Sequence, residues 1–408
     1  MSETARTSAY RARVPERPAV FLHIGAPKSG TTYLQNILFA NRRELRRNGL
    51  VYPGNNVRSH FWASQDLREM AFHGHVEPQV TGAWSRMVGD IRSSGGNGVI
   101  DHEILGAASE AHIDRALADL DFADVHVVFT ARDIARQLPA AWQERVKNKD
   151  TLTYHAFLDG VHAGLTGAGP RKFFWPLHDV PGILARWSRN LPPEQVHLVT
   201  LPRTGADPTV LWRRFASVLG VDPDVYNTDL ARENTSLTAA EAAVLREFNA
   251  RLGGIDIPWT EYRATVKHGL IGVLGAEQRS TARIELPEDT YEWVVSWTND
   301  AVAELRAAGY SIVGDLDEFV PASRPTGADP DAVPVEDRAA AAAEMLAAML
   351  KVEMAEHESD RRTGTAGATA KGNGLAHRVV ERARQSERLA PVRHKLRPVR
   401  DALQRRRG

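Results

Sequence analysis

The segment Ala19-Val20-Phe21-Leu22-His23-Ile24 runs without a break into Gly25-Ala26-Pro27-Lys28-Ser29-Gly30-Thr31-Thr32. Its first six residues, mostly apolar and ended by a glycine, predict a short buried strand. From Thr32 onward Leu34, Ile37, Leu38 and Leu45 fall at helical spacing, and Gly49 supplies a stop. Strand, glycine loop and helix in that order predict the opening of an α/β nucleotide-binding unit. Such a loop turns backbone N–H groups toward an anion, and the helix N-terminus adds a favourable dipole. It is not a Walker A loop, which places its lysine after the second glycine. Here Lys28 precedes Gly30, and Pro27 stiffens the approach.

Outward from this unit, further short strands are predicted at Leu50-Val51-Tyr52, at Gly98 to Glu103, at Val125 to Thr130 and at Val196 to Thr200, with longer helical stretches between them. That alternation predicts a parallel sheet flanked by helices on both faces. Residues 207–310 read as mainly helical, and the globular part closes near Gly309 to Asp317. The expected organisation is a flexible arm over 1–18, a domain over 19–320, a linker over 321–337 and an Ala-rich helix over 338–356. A second linker over 357–376 and a basic tail over 377–408 follow. On the Ala-rich helix, Met345, Leu346, Met349 and Leu350 are expected on one side.

The 408 residues carry 51 Lys plus Arg against 51 Asp plus Glu, and 43% are apolar. Disorder throughout is thereby excluded. The tail from His377 holds eleven basic and three acidic residues, so it is at +8 and the first 376 residues are at −8. Zero cysteines remove disulfides, thiolate nucleophiles and Cys-based metal sites. No apolar run reaches the length of a membrane span, and the first residues lack the apolar core of a signal peptide. A cytoplasmic protein is expected. Only eight lysines are present, which gives the one in the glycine loop its weight.

The segment G-A-P-K-S-G-T-T-Y-L-Q-N-I-L closely resembles the 5′-phosphosulfate loop of sulfotransferases that use 3′-phosphoadenosine 5′-phosphosulfate (PAPS). Residues 131–147 (ARDIARQLPAAWQERVK), 191–201, 211–220, 234–237 and 309–316 are similar to a bacterial, actinomycete-type branch of that family, so the resemblance spans about 19 to 320. It implies a P-loop-like fold and sulfuryl transfer from PAPS to a hydroxyl of a carbohydrate, glycolipid or secondary metabolite. Lys28 would contact the bridging or leaving phosphate oxygen, where charge grows as the S–O bond breaks. Ser29, Gly30, Thr31 and Thr32 would hold the 5′-phosphate. Arg132, just after the strand at 125–130, sits where the family places the arginine for the 3′-phosphate, a role that suits its planar fork. The family's serine eight residues on is here Ala140, which shifts that contact to Thr130, Arg136 or Gln137.

An alcohol acceptor needs a base, and the family draws it from the strand between loop and arginine, here Asp101-His102-Glu103. Alternation puts Asp101 and Glu103 on one face and His102 on the other. Glu103 is the favoured base and His102 the second. His60 and Trp62, in a stretch of aromatic and polar residues with Phe61, Gln65, His73 and His75, are candidates for stacking on a cyclic acceptor. His23, inside the first strand, reads as a satisfied core histidine. No metal is expected, since no Walker B acid, HExxH or paired histidines are found.

The tail repeats Pro391-Val392-Arg393-His394-Lys395-Leu396-Arg397 in Pro398 to Gln404, with Leu389, Val392, Leu396, Val399 and Leu403 forming one apolar stripe. It suits a solvated basic arm, or peripheral contact with an anionic membrane or an acidic partner. Nucleic acid is not expected, because no aromatics are interleaved with the basic residues. Two further readings stay open: a nucleotide-dependent kinase or NTPase, and a non-catalytic protein that keeps the anion loop.

Overall fold

The computed structural model describes residues 17–362 except 73, 231–235, 254, 256 and 277–282. The expectations for the N-terminal arm, for most of the 357–376 stretch, for the basic tail and for His73 therefore lie outside the described residues.

The chain forms two compact units that interleave in sequence. The first comprises the described residues of 17–137, 167–230 and 292–322. It is built on a six-stranded, wholly parallel sheet in the order β2-β3-β1-β4-β5-β6. The strands are β1 (Ala19–His23), β2 (Leu50–Val51), β3 (Asn97–Asp101), β4 (Asp124–Ala131), β5 (Val196–Thr200) and β6 (Ser311–Val313). The first five lie where the apolar runs predicted them. The sixth comes from the segment read only as the end of the globular part, because three half-buried residues make too short a run to register a strand. The expected α/β architecture is present.

Helices α1 (Thr31–Ala40), α2 (Arg42–Arg47), α3 (Ser59–Leu67), α4 (Ala83–Ser94) and α5 (Glu110–Asp119) connect the first four strands. After β4 come α6 (Ile134–Lys147), α7 (Tyr154–Thr166), α8 (Trp175–His178), α9 (Val180–Ser188) and, past β5, α10 (Thr209–Leu219). On one face of the sheet Phe21, Val99, Val128 and Val199 pack with Leu34, Ile37 and Leu38 of α1 and with Trp212 and Phe215 of α10. Alternation gives Val20, Leu22, Ile100, Val127 and Leu198 to the other face, and all five are fully buried. Because the chain runs from β1 to β2 and β3 on one side, then crosses to β4 on the other, the strand order reverses at β1. The C-terminal ends of β3, β1 and β4 therefore frame a crevice of the kind in which α/β sheets bind ligands.

The second unit, formed by the described residues of 138–166, 236–291 and 323–362, is helical. It holds the later part of α6, all of α7, α11 (Ala239–Leu252), α12 (Trp259–Tyr262), a π-helical stretch Arg263–Leu270, α13 (Ile271–Ala276) and the start of α14 (Glu288–Ala307). Its last helix, α15 (Val335–Arg362), packs against α11 and the π-helical stretch. Arg338 pairs with Glu247 at 2.5 Å, and Lys267 with Glu144 at 2.6 Å. The helix α15 is longer than the expected 338–356, and the four residues expected on one side divide between its buried and exposed faces. Ala341, Met345 and Ala348 are buried whereas Leu346 and Leu350 are exposed. Small alanines admit close helix approach, so the Ala/Met line turns inward and the leucines outward.

Candidate active site

Everything expected of the donor loop depends on the turn between β1 and α1. Gly30 sits at φ +84° as the residue before α1, and a Cβ there would come within 2.4 Å of Leu211 Cδ2. Only glycine meets both conditions. Lys28 also has a left-handed backbone, at φ 62°. No side chain caps the N-terminus of α1, so its first N–H groups face the loop. Thr31 is buried and Thr32 exposed.

Ser29 differs from expectation. It is fully buried, its hydroxyl donates to Ala26 O at 2.5 Å, and it lies 2.5 Å from Thr130 Oγ1. That hydroxyl is committed to shaping the loop from beneath rather than offered to a phosphate. Thr130 is equally buried, donates to Gly25 O at 2.9 Å and lies 3.2 Å from His23 Nε2. It is thereby withdrawn as a substitute for the family's serine. Gln137 is withdrawn too, since it is 1% exposed and its amide donates to Pro27 O at 3.1 Å.

Arg132 donates from Nη1 to Lys28 O at 3.1 Å, which fixes the arginine to the loop that carries the lysine. With Arg136 and Arg203 it lines a small cleft of about 20 Å³ beside Leu201 and Pro202. Asp133, at the head of α6, accepts the Arg136 N–H at 2.9 Å. Burial pushes its carboxyl up, and the Arg136 guanidinium opposes that. Of the three substitutes named for the missing serine, Arg136 is the one that faces this cleft, and Arg203 joins it unannounced by the sequence.

The acceptor side begins with the register of the sheet. His23 on β1 stands opposite Asp101 on β3, and Thr130 lies two residues beyond His23's partner Val128 on β4. His23 Nδ1 is 2.8 Å from Asp101 Oδ1, with both side chains fully buried. The core histidine expected from sequence is thus satisfied by an acid in the next strand. Gln35, one turn into α1, donates from the same amide to Asp101 Oδ1 (3.3 Å) and to Glu103 Oε2 (3.2 Å). Asp101 and Glu103 do share a side, as alternation required.

His102 stands where the strand gives way to a turn. The strand ends at Asp101 and a 3-10 turn, Glu103–Ala107, starts at once, with His102 Nδ1 accepting the Ile104 N–H at 3.3 Å. His102 itself keeps an extended backbone, its N–H donating to His23 O at 3.0 Å, and its Nδ1 lies 3.9 Å from Glu103 Oε2. Both candidate bases are partly exposed and adjacent; Glu103 is held by Gln35, whereas His102 spends one ring nitrogen on capping.

His60 does not contact solvent. It is 2% exposed, donates from Nε2 to Pro53 O at 3.0 Å and accepts the Asp101 N–H at Nδ1 (3.1 Å). Burial lowers its pKa to about 4. It is a neutral structural histidine, and the expectation that it binds the acceptor is overturned because both nitrogens serve the protein. Trp62 remains half-exposed, its Nε1 donating to Glu77 Oε2 at 3.1 Å and the Arg58 guanidinium 5.4 Å over its ring.

His178 is a residue the sequence did not single out. It ends α8, is 4% exposed and stacks on Phe174 at 3.9 Å, and its Nδ1 is buried without a partner among the described residues. Burial, reinforced by the Lys28 ammonium, lowers its pKa to about 3. Asp101 Oδ2 and Gln137 Oε1 are likewise buried and unpartnered among the described residues. Buried polar groups are usually paired, so each of these three is an exception that calls for an explanation.

A pH dependence follows. An unfolded histidine titrates near 6.5, while folded His60 and His178 titrate about 4 and about 3. The folded state therefore binds fewer protons, so the contribution is complete above about pH 6.5 and is lost as pH falls toward 4. At pH 5 each of the two costs roughly 2 kcal/mol of stability. Urea unfolding at pH 7 and pH 5 is expected to show this drop, lessened by roughly 2 kcal/mol in His60→Gln. A midpoint independent of pH in the wild type would contradict it.

No protein-family model matches the chain, and no curated protein does. Among solved structures, a sulfotransferase from Alicyclobacillus acidocaldarius is similar over 74% of this chain and 98% of its own, at 16% identity and a TM-score of 0.43.

Proposed function

We propose that the chain is a sulfotransferase that moves the sulfuryl group of PAPS to a hydroxyl. The observation that carries this reading is the convergence of three elements at the reversal point of the sheet. The β1–α1 loop brings Lys28, the end of β4 brings Arg132 onto the Lys28 carbonyl, and the end of β3 brings Glu103, tied by Gln35 to the helix behind the loop. A guanidinium pair suits the 3′-phosphate, and an uncapped helix N-terminus suits the 5′-phosphate.

In the proposed reaction Glu103 accepts the hydroxyl proton as the acceptor oxygen forms its bond to sulfur. The bond between sulfur and the phosphate oxygen breaks, and adenosine 3′,5′-bisphosphate leaves with the electron pair. Lys28 stabilises the charge that grows on the leaving oxygen. Positioning and charge do the work, as in phosphoryl transfer. Gln35 keeps the Glu103 carboxylate aimed, since a base must lie within hydrogen-bond reach of the proton it takes. Among the described residues no helix is long and apolar enough to cross a membrane. A cytoplasmic location, where a nucleotide donor is available, belongs to the same proposal.

Calorimetric titration of the full chain with adenosine 3′,5′-bisphosphate, and separately with ATP and magnesium, tests the reading. Tighter binding of the bisphosphate is expected. Preference for ATP would show a kinase or NTPase instead, and bisphosphate binding without turnover on any hydroxyl acceptor would show a binding protein.

A further inference from the structure

Helices α2, α3 and α4 enclose a cavity of about 710 Å³ whose lining includes Arg42, Arg43, Arg46, Arg86, Tyr52 and Trp62. One carboxylate, that of Asp90, also lines it. In α2, Arg-Arg-Glu-Leu-Arg-Arg, Leu45 is the buried anchor and Glu44 is taken by Arg47 at 2.7 Å. The other three arginines of that helix are left to the cavity. Arg42 donates to Phe39 O at 3.0 Å, and Arg86 to Gln79 O at 2.6 Å and Thr81 O at 2.7 Å, so both are oriented by backbone carbonyls. Among the described residues none of the four forms an ion pair with a carboxylate. Four guanidiniums against one acid run counter to the excess of acids in the first 376 residues. Like charges gathered in a concave site repel one another and stabilise a bound anion.

Buried residues tie the wall of this cavity to the acceptor side of the active site, although Lys28, Gln35 and Glu103 do not themselves line it. Tyr52 lines the cavity and stacks on His60 at a centroid distance of 4.0 Å. His60 in turn takes the Asp101 N–H, and Gln35 joins Asp101 to Glu103. Trp62 is held in place by Glu77 and Arg58 and offers a ring against which a sugar can stack.

We propose that this cavity binds an anionic oligosaccharide, whose carboxylate or sulfate groups pair with Arg42, Arg43, Arg46 and Arg86 while a neighbouring sugar hydroxyl receives the sulfuryl group. The assignment rests on the proposed transferase reading and adds the acceptor's chemical class to it. Guanidiniums recognise carboxylate and sulfate alike, through paired hydrogen bonds. A neutral acceptor would leave four like charges unneutralised.

The test uses the full chain with saturating adenosine 3′,5′-bisphosphate, titrated with an oligogalacturonate, a sulfated galacto-oligosaccharide and a neutral galacto-oligosaccharide of equal length. At least one charged oligosaccharide is expected to bind about tenfold or more tightly than the neutral one. The two charged probes distinguish carboxylate from sulfate. In Arg43→Ala/Arg46→Ala, whose altered side chains are exposed, charged-probe affinity is expected to fall at least about tenfold while bisphosphate affinity and the thermal midpoint stay unchanged. Equal binding of charged and neutral probes, no binding of either charged probe, or an indifferent double variant overturns the proposal. Absence of bisphosphate binding would instead strike the transferase reading; the same charged probes titrated alone would still report on the cavity.

Discussion

Lys28→Ala is expected to lower turnover with PAPS by about 100- to 1,000-fold, the usual cost of removing one donor from a developing oxyanion. The loss should fall mainly on the rate, because the ground-state bisphosphate keeps Arg132 and the N–H groups of α1, while Lys28 acts most strongly on charge that appears as the S–O bond breaks. Lys28→Arg should recover little. The backbone at this residue is left-handed, the Lys28 carbonyl already holds Arg132, and a broad guanidinium cannot replace a point charge at the end of a four-carbon stem. Single-turnover formation of sulfated product, measured beside bisphosphate titration, separates rate from binding. A loss of only a few-fold in turnover would remove Lys28 from the reaction.

Glu103→Gln is expected to lower turnover by about 100- to 10,000-fold, the range typical of general bases, with bisphosphate affinity intact. The substitution is nearly isosteric and keeps an oxygen able to accept from Gln35. His102→Ala gives the contrast: it removes the cap on the 3-10 turn and should shift turnover far less. If His102→Ala is the variant that loses activity, the two residues exchange roles. Gln35→Leu should sit between them, leaving Glu103 present but no longer aimed.

The loop and the arginine assigned to the donor are legible in the sequence because they are local. An apolar strand, a loop with lysine and glycine at fixed offsets and an apolar helix occupy one continuous stretch, and Arg132 follows a strand that the apolar run at 125–130 announces. What escaped is whatever depends on two strands lying side by side. The His23–Asp101 pair joins residues 78 apart in sequence, and only the sheet register shows that they meet. Gln35 read as an unremarkable helix residue until the end of β3 was placed against it. His178 and Arg203 come from segments with no motif at all. His60 and Trp62 looked equivalent as loop aromatics, but one proved to be buried between Pro53 and the Asp101 amide while the other lines a cavity. Burial of a polar aromatic depends on what covers it, which spacing does not encode. The outward turn of Leu346 and Leu350 has the same origin: helical periodicity defines faces, and the packing partner decides which face is used.

The strand order separates the two halves of the site. Residues assigned to the donor, Arg132, Arg136 and Arg203, follow β4 and β5 on one flank of β1; residues assigned to the acceptor, from α2 through the turn after β3, lie on the other. Between them stand β1 and the ten residues of α1. In engineering terms the molecule has an exchangeable cassette. On the proposed function, recombining residues 42–107 among proteins of this architecture would change the acceptor, with the donor half held constant, provided that Gln35 still finds a carboxylate at the junction. A chimera lacking that carboxylate would be expected to bind both substrates and join neither.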